Sequence, residues 1–295
     1  MKQHPTKKLL ITGASGFLGW NTCQAATADW QVYGTYQSND VTIEGVTMLK
    51  TDLTDYEAVR SLIQELAPDA IIHTAAQARP HICHENPEST YAINVTVPTT
   101  IAGLCADAAI PCVFTSTDFV FDGLHPPYSE TAPVSPINHY GEQKVEAEVR
   151  MLDRHPASVV CRMPLMFGYA DSAPSFLQGF LNRLRSGDDL KLFTDEIRTP
   201  VSGRDAAKGL LMALESAHGI LHLGGKERLS RYQFGHLMVE AFGLDTVVIQ
   251  GCHQADVPLD MPRPLDVSMD SSRAYVLGYA PGLVLSELKA LREKV

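Results

Sequence analysis

Short, almost continuously apolar runs alternate with helical stretches through the first half of this chain. Runs that are apolar throughout, rather than at every second position, are typical of parallel strands covered on both faces. The predicted strands are residues 7–12, 31–36, 46–51, 69–75, 111–116 and 158–163. The predicted helices between them are residues 17–28, 56–66 and about 88–109. Such alternation forms right-handed βαβ units, so the sequence predicts an α/β, Rossmann-type doubly wound parallel sheet.

The pattern loosens after about residue 165. Predicted helices follow at residues 174–186, 203–217, 230–242 and 285–293, with one more strand at residues 219–225. We therefore expect two parts, a dinucleotide-binding Rossmann domain at 1–165 and a smaller C-terminal substrate-binding lobe at 166–295, interleaved with the sheet. Ligands of such folds bind at the carboxyl edge of the strands, where this lobe is expected to lie.

Composition narrows the class of protein. The 295 residues are 45% hydrophobic and 20% charged, with a net charge of −10 and no basic run, which argues against a nucleic-acid partner. No apolar run reaches membrane-spanning length, and the N-terminus lacks a secretory signal, so we expect no membrane partner and a cytoplasmic location. Six scattered cysteines without a Cys-x-x-Cys pair argue against a disulfide framework.

The first strand runs directly into a glycine-rich turn, "TGASGFLG". Glycines between a strand and a helix let the backbone approach a pyrophosphate, which the free N–H groups of the helix then bind. A plain tight turn is the alternative, and the βαβ context favours a dinucleotide site. The predicted cofactor contacts of this turn are Gly13, Ser15, Gly16, Phe17, Leu18 and Gly19.

The end of the second strand should distinguish NAD from NADP. An acidic residue there binds the adenosine ribose, and an arginine accommodates a 2′-phosphate. The sequence offers neither, only Tyr36, Gln37 and Ser38, which favours NADP(H) over NAD(H) as the cofactor. Further contacts are expected at the ends of the third and fourth strands, from Asp52, Leu53, Ala75 and Ala76.

A hydroxyl, a phenol and an ammonium are expected around one substrate carbonyl. Thr117 follows the strand "PCVFTS", and Tyr140 and Lys144 share one face of a helix in "YGEQK". In isolation this could be a solvated Tyr–Lys pair. A phenol has a pKa of about 10, and Lys144 together with a nicotinamide cation would lower it, so that Tyr140 could donate a proton while Thr117 binds the carbonyl oxygen.

Other polar residues have plainer interpretations. His81, Cys83 and His84 lack a fourth ligand, so no metal site is predicted. His73 lies on an apolar strand and is expected to be a core histidine. Arg263 is either a surface residue or a bidentate ligand for a substrate diphosphate.

The motifs together resemble a known family. "TGASGFLG", "STDFVFDG" and "YGEQK" resemble the extended short-chain dehydrogenase/reductases. "YSETAPVSPINHYGEQKVEAE", "RMPLMFG" and "RPLDVSMDSSRAYVLG" are similar to the dTDP-4-dehydrorhamnose reductase branch in order and spacing. "GLHPPYSE" and "RTPVSGRDAAKGL" also resemble a relative in that branch, the regulatory β subunit of methionine adenosyltransferase. The resemblance covers nearly the whole chain.

The resemblance implies specific roles. Thr117, Tyr140 and Lys144 would be catalytic, and Asn94 would complete a tetrad through water. Tyr140 and Lys144 would also contact the cofactor, with Lys144 holding the nicotinamide ribose. Substrate contacts would come from Thr117, Asp118 and Phe119, with Arg263. Two departures concern the sugar site, because a Trp is expected near Leu165 and a Tyr at Phe119.

The implied function is an NAD(P)H-dependent reductase of a nucleotide-activated 4-keto-sugar, with a homodimer among the expected assemblies. One alternative is a nucleotide-sugar epimerase or dehydratase, although a dehydratase would carry Glu where Phe119 follows Asp118. The other is a regulatory subunit that binds NADP without turnover.

Overall fold

The computed structural model describes residues 7–244 and 249–294. The strands are β1 (Lys8–Thr12), β2 (Gln31–Tyr36), β3 (Val46–Lys50), β4 (Ala70–His73), β5 (Cys112–Thr117), β6 (Val159–Met163), β7 (Met166–Phe167), β8 (Leu190–Phe193), β9 (Ile197–Arg198), β10 (Val201–Ser202), β11 (Gly219–His222), β12 (Leu229–Ser230) and β13 (Ile249–Cys252). The α-helices are α1 (Phe17–Ala26), α2 (Tyr56–Leu66), α3 (Pro80–Glu85), α4 (Pro87–Tyr91), α5 (Val97–Ala108), α6 (His139–Arg154), α7 (Phe176–Arg185), α8 (Gly203–Ser216), α9 (Arg231–Phe242), α10 (Ser272–Val276) and α11 (Val284–Ala290).

Seven strands form one parallel sheet in the order β3-β2-β1-β4-β5-β6-β11. The predicted doubly wound parallel sheet is therefore confirmed. Because the strand order reverses between β1 and β4, the chain leaves these two strands in opposite directions. This leaves a crevice at their carboxyl ends, where ligands of such sheets bind.

Helices cover both faces of the sheet. Successive residues of β1 point to opposite faces, as the strand period requires. Leu9 and Ile11 pack in the core cluster that includes α1 and α8, whereas Leu10 packs in the cluster that includes α2, α5 and α6. Burial on both faces explains why the central strands β1 and β4 are almost continuously apolar.

The strand and helix after residue 165 complete this sheet. β11 pairs with β6 at its edge, and α8 packs on the face that α1 also covers. A separate apolar cluster, which includes Leu181 and Phe234, joins α7, α9 and α11. Short two-stranded pairings, β7 with β10, β9 with β12 and β8 with β13, were not predicted. The division at residue 165 stays a prediction.

The predicted helix at about 88–109 is not continuous. A π-helical turn at Ala92–Thr96 separates α4 from α5. The extra residue of a π turn redirects the side chains, and such turns are frequent at functional sites. Asn94 lies in this turn.

The helix that carries Tyr140 and Lys144 begins at a defined cap. The side chain of Asn138 accepts a hydrogen bond from the N–H of Gly141 at 3.0 Å and so caps α6, which begins at His139, one residue before Tyr140. The free cysteines, at 23, 83, 105, 112, 161 and 252, are all buried. Within residues 7–244 and 249–294, no helix is both long enough and apolar enough to cross a bilayer.

Candidate active site

The glycine turn brings β1 and the segment after β4 into close contact. Gly13 has a positive φ of 72°, and a Cβ there would lie 2.8 Å from the backbone nitrogen of Ala75. A Cβ on Gly19 would lie 2.1 Å from the carbonyl oxygen of Gly13. Both positions therefore require glycine for packing.

Gly16 differs from these two glycines. It is the N-cap residue of α1, with a φ of −85°, and an added Cβ would meet only the Gly13 carbonyl oxygen, at 3.3 Å. Its surface faces a cleft of about 230 Å³ at the carboxyl ends of β1, β2 and β4. The N-terminus of α1, with its free N–H groups, opens at this cleft.

Seven of the predicted cofactor residues line the cleft: Gly13, Ser15, Gly16, Tyr36, Leu53, Ala75 and Ala76. The other lining residues are Thr35, Gln37, Thr51, Thr74 and Ile93. The walls therefore consist mainly of backbone, small side chains and hydroxyls, with Gln37, Leu53 and Ile93 as the larger uncharged side chains, a surface suited to a nucleotide. Neither a carboxylate nor an arginine is among the described residues of these walls.

Seven predicted cofactor residues do not line the cleft: Phe17, Leu18, Gly19, Ser38 and Asp52, together with Tyr140 and Lys144, which are described below. Leu18 is buried in the core, and a Cβ on Gly203 would lie 2.7 Å from the ring of Phe17, so both side chains have packing roles. The carboxylate of Asp52 accepts hydrogen bonds from the N–H of Thr54 at 2.9 Å and from its hydroxyl at 2.7 Å, which lower the pKa of Asp52. Asp52 thus shapes a turn.

Thr117 and Tyr140 line a second pocket, of about 260 Å³. Thr117 ends β5, and its hydroxyl oxygen accepts a hydrogen bond from the N–H of Phe119 at 3.2 Å. Tyr140 is buried, and its ring meets that of Phe119 edge to face at a centroid distance of 6.0 Å. A phenol and a hydroxyl from different elements thus face one pocket.

Lys144 is buried one helical turn after Tyr140, beneath this pocket. Its ammonium donates a hydrogen bond to the carbonyl oxygen of Thr115 at 2.7 Å and lies 4.1 Å from the centroid of the Phe114 ring. Burial lowers the pKa of Lys144 to about 7, although Glu148 and Cys83 act in the opposite direction. An ammonium in a neutral setting is costly to keep charged.

The expectation that Lys144 lowers the pKa of Tyr140 is not met in the protein alone. Burial raises the pKa of Tyr140, and the hydrogen bond from Thr117 only partly opposes this rise. The Lys144 ammonium bonds to backbone instead of acting on the phenol. A bound nicotinamide cation would supply the further positive charge that is expected to lower the pKa of Tyr140.

Asn94 connects the π turn to the site. Its side-chain oxygen accepts a hydrogen bond from the N–H of Gln77 at 2.9 Å, and its amide donates to the side chain of Gln143 at 2.8 Å. Gln77 directly follows Ala75 and Ala76 of the cleft. Asn94 thereby fixes the segment after β4 relative to α6.

The second pocket contains a cluster of charged side chains, of which the sequence predicted only two. Glu196, Arg198 and Arg231 line it together with the predicted Asp118 and Arg263. The only sequence signal is the acidic–basic alternation in "FTDEIRTP", which is common on exposed strands. These residues come from distant segments, so no local spacing reveals the cluster.

Glu196 is the centre of this cluster. It lies 2.9 Å from Nε of Arg231, 3.6 Å from Nη2 of Arg198 and 3.7 Å from Nη1 of Arg263. Burial would raise its pKa, but the three guanidinium groups outweigh burial and lower it to about 2. Glu196 is therefore ionised throughout the physiological range.

Arg198 is almost fully buried between two carboxylates. Its Nη1 lies 3.2 Å from Oδ1 of Asp118, and its guanidinium carbon lies 4.3 Å from the centroid of the Phe119 ring. Burial raises the pKa of Asp118, and Arg198 opposes this rise. Among the described residues, neither Nη atom of Arg198 nor Oδ2 of Asp118 has a hydrogen-bond partner of good geometry. Unsatisfied donors at a pocket wall are available to a ligand.

Several other residues named in the sequence analysis lie at or near the second pocket. His81 and Leu165 line it, and His84 stacks on His139 at 5.4 Å. Within the described part of the chain, no group of three or more His, Cys, Asp or Glu residues is arranged to hold a metal ion. His73 is buried, and its Nδ1 lies 2.6 Å from the hydroxyl of Thr12.

The chain matches known proteins over nearly its full length. Residues 7–281 match the family described as "RmlD substrate binding domain". The chain is 29% identical to methionine adenosyltransferase 2 subunit beta of Danio rerio over 93% of this chain and 86% of that protein. It is 32% identical to a probable low-salt glycan biosynthesis reductase, Agl14, of Haloferax volcanii over 89% of each.

Solved structures agree with these matches. A dTDP-4-dehydrorhamnose reductase from Clostridium acetobutylicum superposes with a TM-score of 0.84 at 26% identity, covering 97% of this chain and 98% of that one. A dTDP-4-dehydrorhamnose reductase from Bacillus anthracis, solved with NADP, superposes with a TM-score of 0.88 at 19% identity, covering 98% and 100%. The second match supports the fold alone.

The parallel sheet, the glycine cleft and the Thr–Tyr pocket thus agree with the motif resemblance and with the family match. The chain belongs to the extended short-chain dehydrogenase/reductase family, in its dTDP-4-dehydrorhamnose reductase-like branch.

Proposed function

We propose that the protein is an NAD(P)H-dependent reductase of a nucleotide-activated 4-keto-sugar, with Tyr140 as the proton donor. The observation that carries this proposal is that Thr117 and Tyr140, from β5 and α6, face the same pocket. Two hydroxyl-bearing side chains that face the same pocket from different elements can both contact one substrate oxygen.

The glycine cleft supports the cofactor part of the proposal. Its uncharged walls fit a dinucleotide, and a larger residue at Gly16 would extend a side chain into the cleft. Ser15, Gly16 and the N-terminus of α1 would hold the pyrophosphate, and Tyr36 and Leu53 would contact the adenosine. When bound, the reduced nicotinamide supplies the hydride.

The protein's own part in the chemistry is the movement of one proton. Thr117 would hold the substrate carbonyl oxygen by a hydrogen bond, and Tyr140 would donate its phenolic proton to that oxygen as negative charge develops. Lys144, charged and directed at the backbone of β5, would stabilise the resulting phenolate once cofactor closes the site. Burial of Tyr140 keeps its proton in place until substrate arrives.

The arginine-rich wall supports an anionic substrate. Three guanidinium groups, from Arg198, Arg231 and Arg263, oppose two carboxylates, so the positive groups outnumber the negative ones, and the contacts of Arg198 with these carboxylates lack good hydrogen-bond geometry. A nucleotide diphosphate would satisfy such donors. The half-exposed Arg263, at 38% side-chain exposure, would bind it at the rim.

A regulatory role is the second candidate. It is favoured by the matches to methionine adenosyltransferase 2 subunit beta from several vertebrates, which cover 93% of this chain. Thr117, Tyr140 and Lys144 would then be retained for binding alone.

The decisive experiment is a panel of dTDP- and UDP-linked 4-keto-sugars offered with NADPH, followed by the loss of NADPH absorbance. We expect turnover of at least one member, and turnover slower by about 10²–10⁴-fold in a Tyr140→Phe variant that still binds NADPH. If the wild-type protein binds NADPH, reduces no keto-sugar and forms a complex with a catalytic methionine adenosyltransferase subunit, the regulatory function replaces the reductase.

A further inference from the structure

A chain of buried charges begins at Lys144 and leads away from the pocket. Among the described residues, the ammonium of Lys144 has one hydrogen-bond acceptor, the neutral carbonyl of Thr115. A single neutral acceptor does not compensate the desolvation of an ammonium. Another group must favour the charged form, if Lys144 is to be a cation in the site.

Glu148 is that group. It follows Lys144 by four positions on α6, so that the two side chains share one helix face, and it is 4% exposed. Its carboxylate is the leading influence that opposes the effect of burial on the pKa of Lys144. The other titratable groups that interact with Lys144 are Cys83 of α3 and His73 of β4.

Arg162 holds Glu148 in a fixed geometry. Its Nε donates to Oε1 of Glu148 at 3.0 Å and its Nη2 donates to Oε2 at 2.7 Å, with both side chains buried. This bidentate pair fixes the position of the carboxylate on the face of α6 that also carries Lys144.

His222 completes the network at the edge strand β11. Burial and the neighbouring Arg162 lower the pKa of His222 to about 3, so the imidazole is neutral. Its Nδ1 lies 3.2 Å from the carbonyl oxygen of Asp270, which assigns the proton to Nδ1. Nε2 then accepts from Nη1 of Arg162 at 3.4 Å, and the guanidinium stacks over Phe121 at 5.1 Å.

We propose that Glu148, held by Arg162, is a positioning residue that keeps Lys144 charged in the active site. The proposal rests on the proposed role of Lys144 in the reductase. If the Glu148–Arg162 pair only filled space in the core, it would not need to be charged. In other proteins, neutral side chains of similar volume often replace buried ion pairs without loss of stability.

The test observes the Lys144 ammonium directly. Lysine-selective ¹⁵N NMR of the whole protein follows each lysine nitrogen through a pH titration, and the Lys144 signal is the one lost in Lys144→Met. In Glu148→Gln the side chain keeps its size and loses its charge. We expect the titration midpoint of Lys144 to fall by about one pH unit or more.

Two further variants separate positioning from general damage. Arg162→Met leaves the Glu148 charge beside Lys144, so the midpoint should stay at or above the wild-type value although thermal stability falls. Glu148→Gln/Arg162→Met removes both charges and the orphaned guanidinium. The double variant should fold like the wild type, and the titration midpoint of Lys144 should fall in it as in Glu148→Gln. The test therefore stays valid if Glu148→Gln alone fails to fold.

An unchanged midpoint in the double variant overturns the proposal. So does a fall in Arg162→Met as large as in Glu148→Gln, because the pair would then act only through packing. If the midpoint shifts as expected but the wild-type protein reduces no keto-sugar, the positioning role stands and the reductase function fails. If the protein is a reductase and the midpoint does not move, only the positioning role fails.

Discussion

The two cavities at the carboxyl edge of the sheet are built in opposite ways. The cleft at the glycine turn is formed by backbone and small or hydroxyl side chains, and no ionised group is among its described walls. The pocket at Thr117 and Tyr140 contains three arginines and two carboxylates, of which Asp118, Glu196 and Arg198 are almost fully buried. One cavity is defined by close backbone approach and the other by electrostatic pairing.

This contrast indicates which interactions each cavity can tolerate losing. A backbone cleft changes little with pH but is blocked by a single added side chain. A pocket built of paired charges accepts changes of shape at its rim but depends on every ionised partner, because an orphaned buried charge is costly. Substitutions in the two cavities should therefore produce different kinds of failure.

The largest expected effect is the loss of the Tyr140 hydroxyl. Tyr140→Phe keeps the ring and its contact with Phe119, so folding and NADPH affinity should survive. General acid catalysis contributes about 10²–10⁴-fold, so kcat for a keto-sugar should fall by that factor. Steady-state kinetics and NADPH fluorescence titration measure the two quantities.

Tyr128→Phe is the matched control for this change. Tyr128 is also a buried tyrosine, and its hydroxyl donates a 2.5 Å hydrogen bond to Asp122, outside the pocket. Its removal should cost stability and leave kcat largely intact. Equal losses of kcat in the two variants would remove Tyr140 as the proton donor.

Removing the central carboxylate of the charged pocket should cost stability in a pH-dependent way. The pKa of Glu196 is lowered to about 2 from an ordinary 4.5, so its contribution is present above pH 4.5 and is lost as pH falls through 2. Glu196→Gln should lower the free energy of unfolding by about 3 kcal/mol at neutral pH. Denaturant unfolding at several pH values measures this, and the deficit should shrink on acidification.

An exposed pair provides the control. Glu57 and Arg60 on α2 lie 2.7 Å apart with side-chain exposures of 65% and 44%. Glu57→Gln should change the free energy of unfolding by less than about 1 kcal/mol. A Glu196→Gln deficit as small as this would mean that the charged pocket is not held together by its carboxylate.

The same contrast explains what could be predicted from the sequence. Periodicity predicted every strand of the central sheet because burial on both faces leaves a local signal, as in β4 and β5. The glycine turn was also predicted, because Gly13 and Gly19 act within a few residues of each other. Arg198 and Glu196 were missed because their partners, Asp118 and Arg231, are distant in sequence. The π turn at Asn94 has no periodic signal that distinguishes it from a helix.

A side chain added at the glycine turn should block the cleft without unfolding the protein. Gly16 is the suitable position, because its added Cβ meets a single backbone oxygen at 3.3 Å, whereas Gly13 and Gly19 have no space. Gly16→Val should weaken NADPH binding by about tenfold or more, by filling the pyrophosphate position. Fluorescence titration measures the dissociation constant.

Gly179→Val serves as the control for that variant. Gly179 lies on α7, and an added Cβ meets no atom within 4 Å. It should bind NADPH like the wild-type protein. NADPH binding by Gly16→Val that equals that of this control would contradict the assignment of the cleft to a cofactor.

The smallest expected effect is the choice between the two nicotinamide cofactors, and it follows from the absence of ionised groups in the described walls of the cleft. Without a carboxylate to bind the ribose hydroxyls or an arginine for a 2′-phosphate, neither cofactor gains a charged contact. We expect NADPH to bind as tightly as NADH or more tightly. The two dissociation constants should differ by no more than about tenfold, which corresponds to about 1.4 kcal/mol. Paired titrations measure this ratio.

Gln37→Asp sharpens the comparison, because it adds one charge to the cavity that has none. Gln37 lines the cleft directly after β2, where a carboxylate would accept hydrogen bonds from the ribose and repel a 2′-phosphate. NADH should then bind more tightly than NADPH, whereas Gln37→Asn should leave the ratio unchanged. A clear preference of the wild-type protein for NADH would contradict the NADP(H) assignment. If Gln37→Asp leaves the ratio of the NADPH and NADH dissociation constants unchanged, the adenosine ribose lies away from β2. The absence of charge in the described walls of the cleft would then not explain the choice of cofactor.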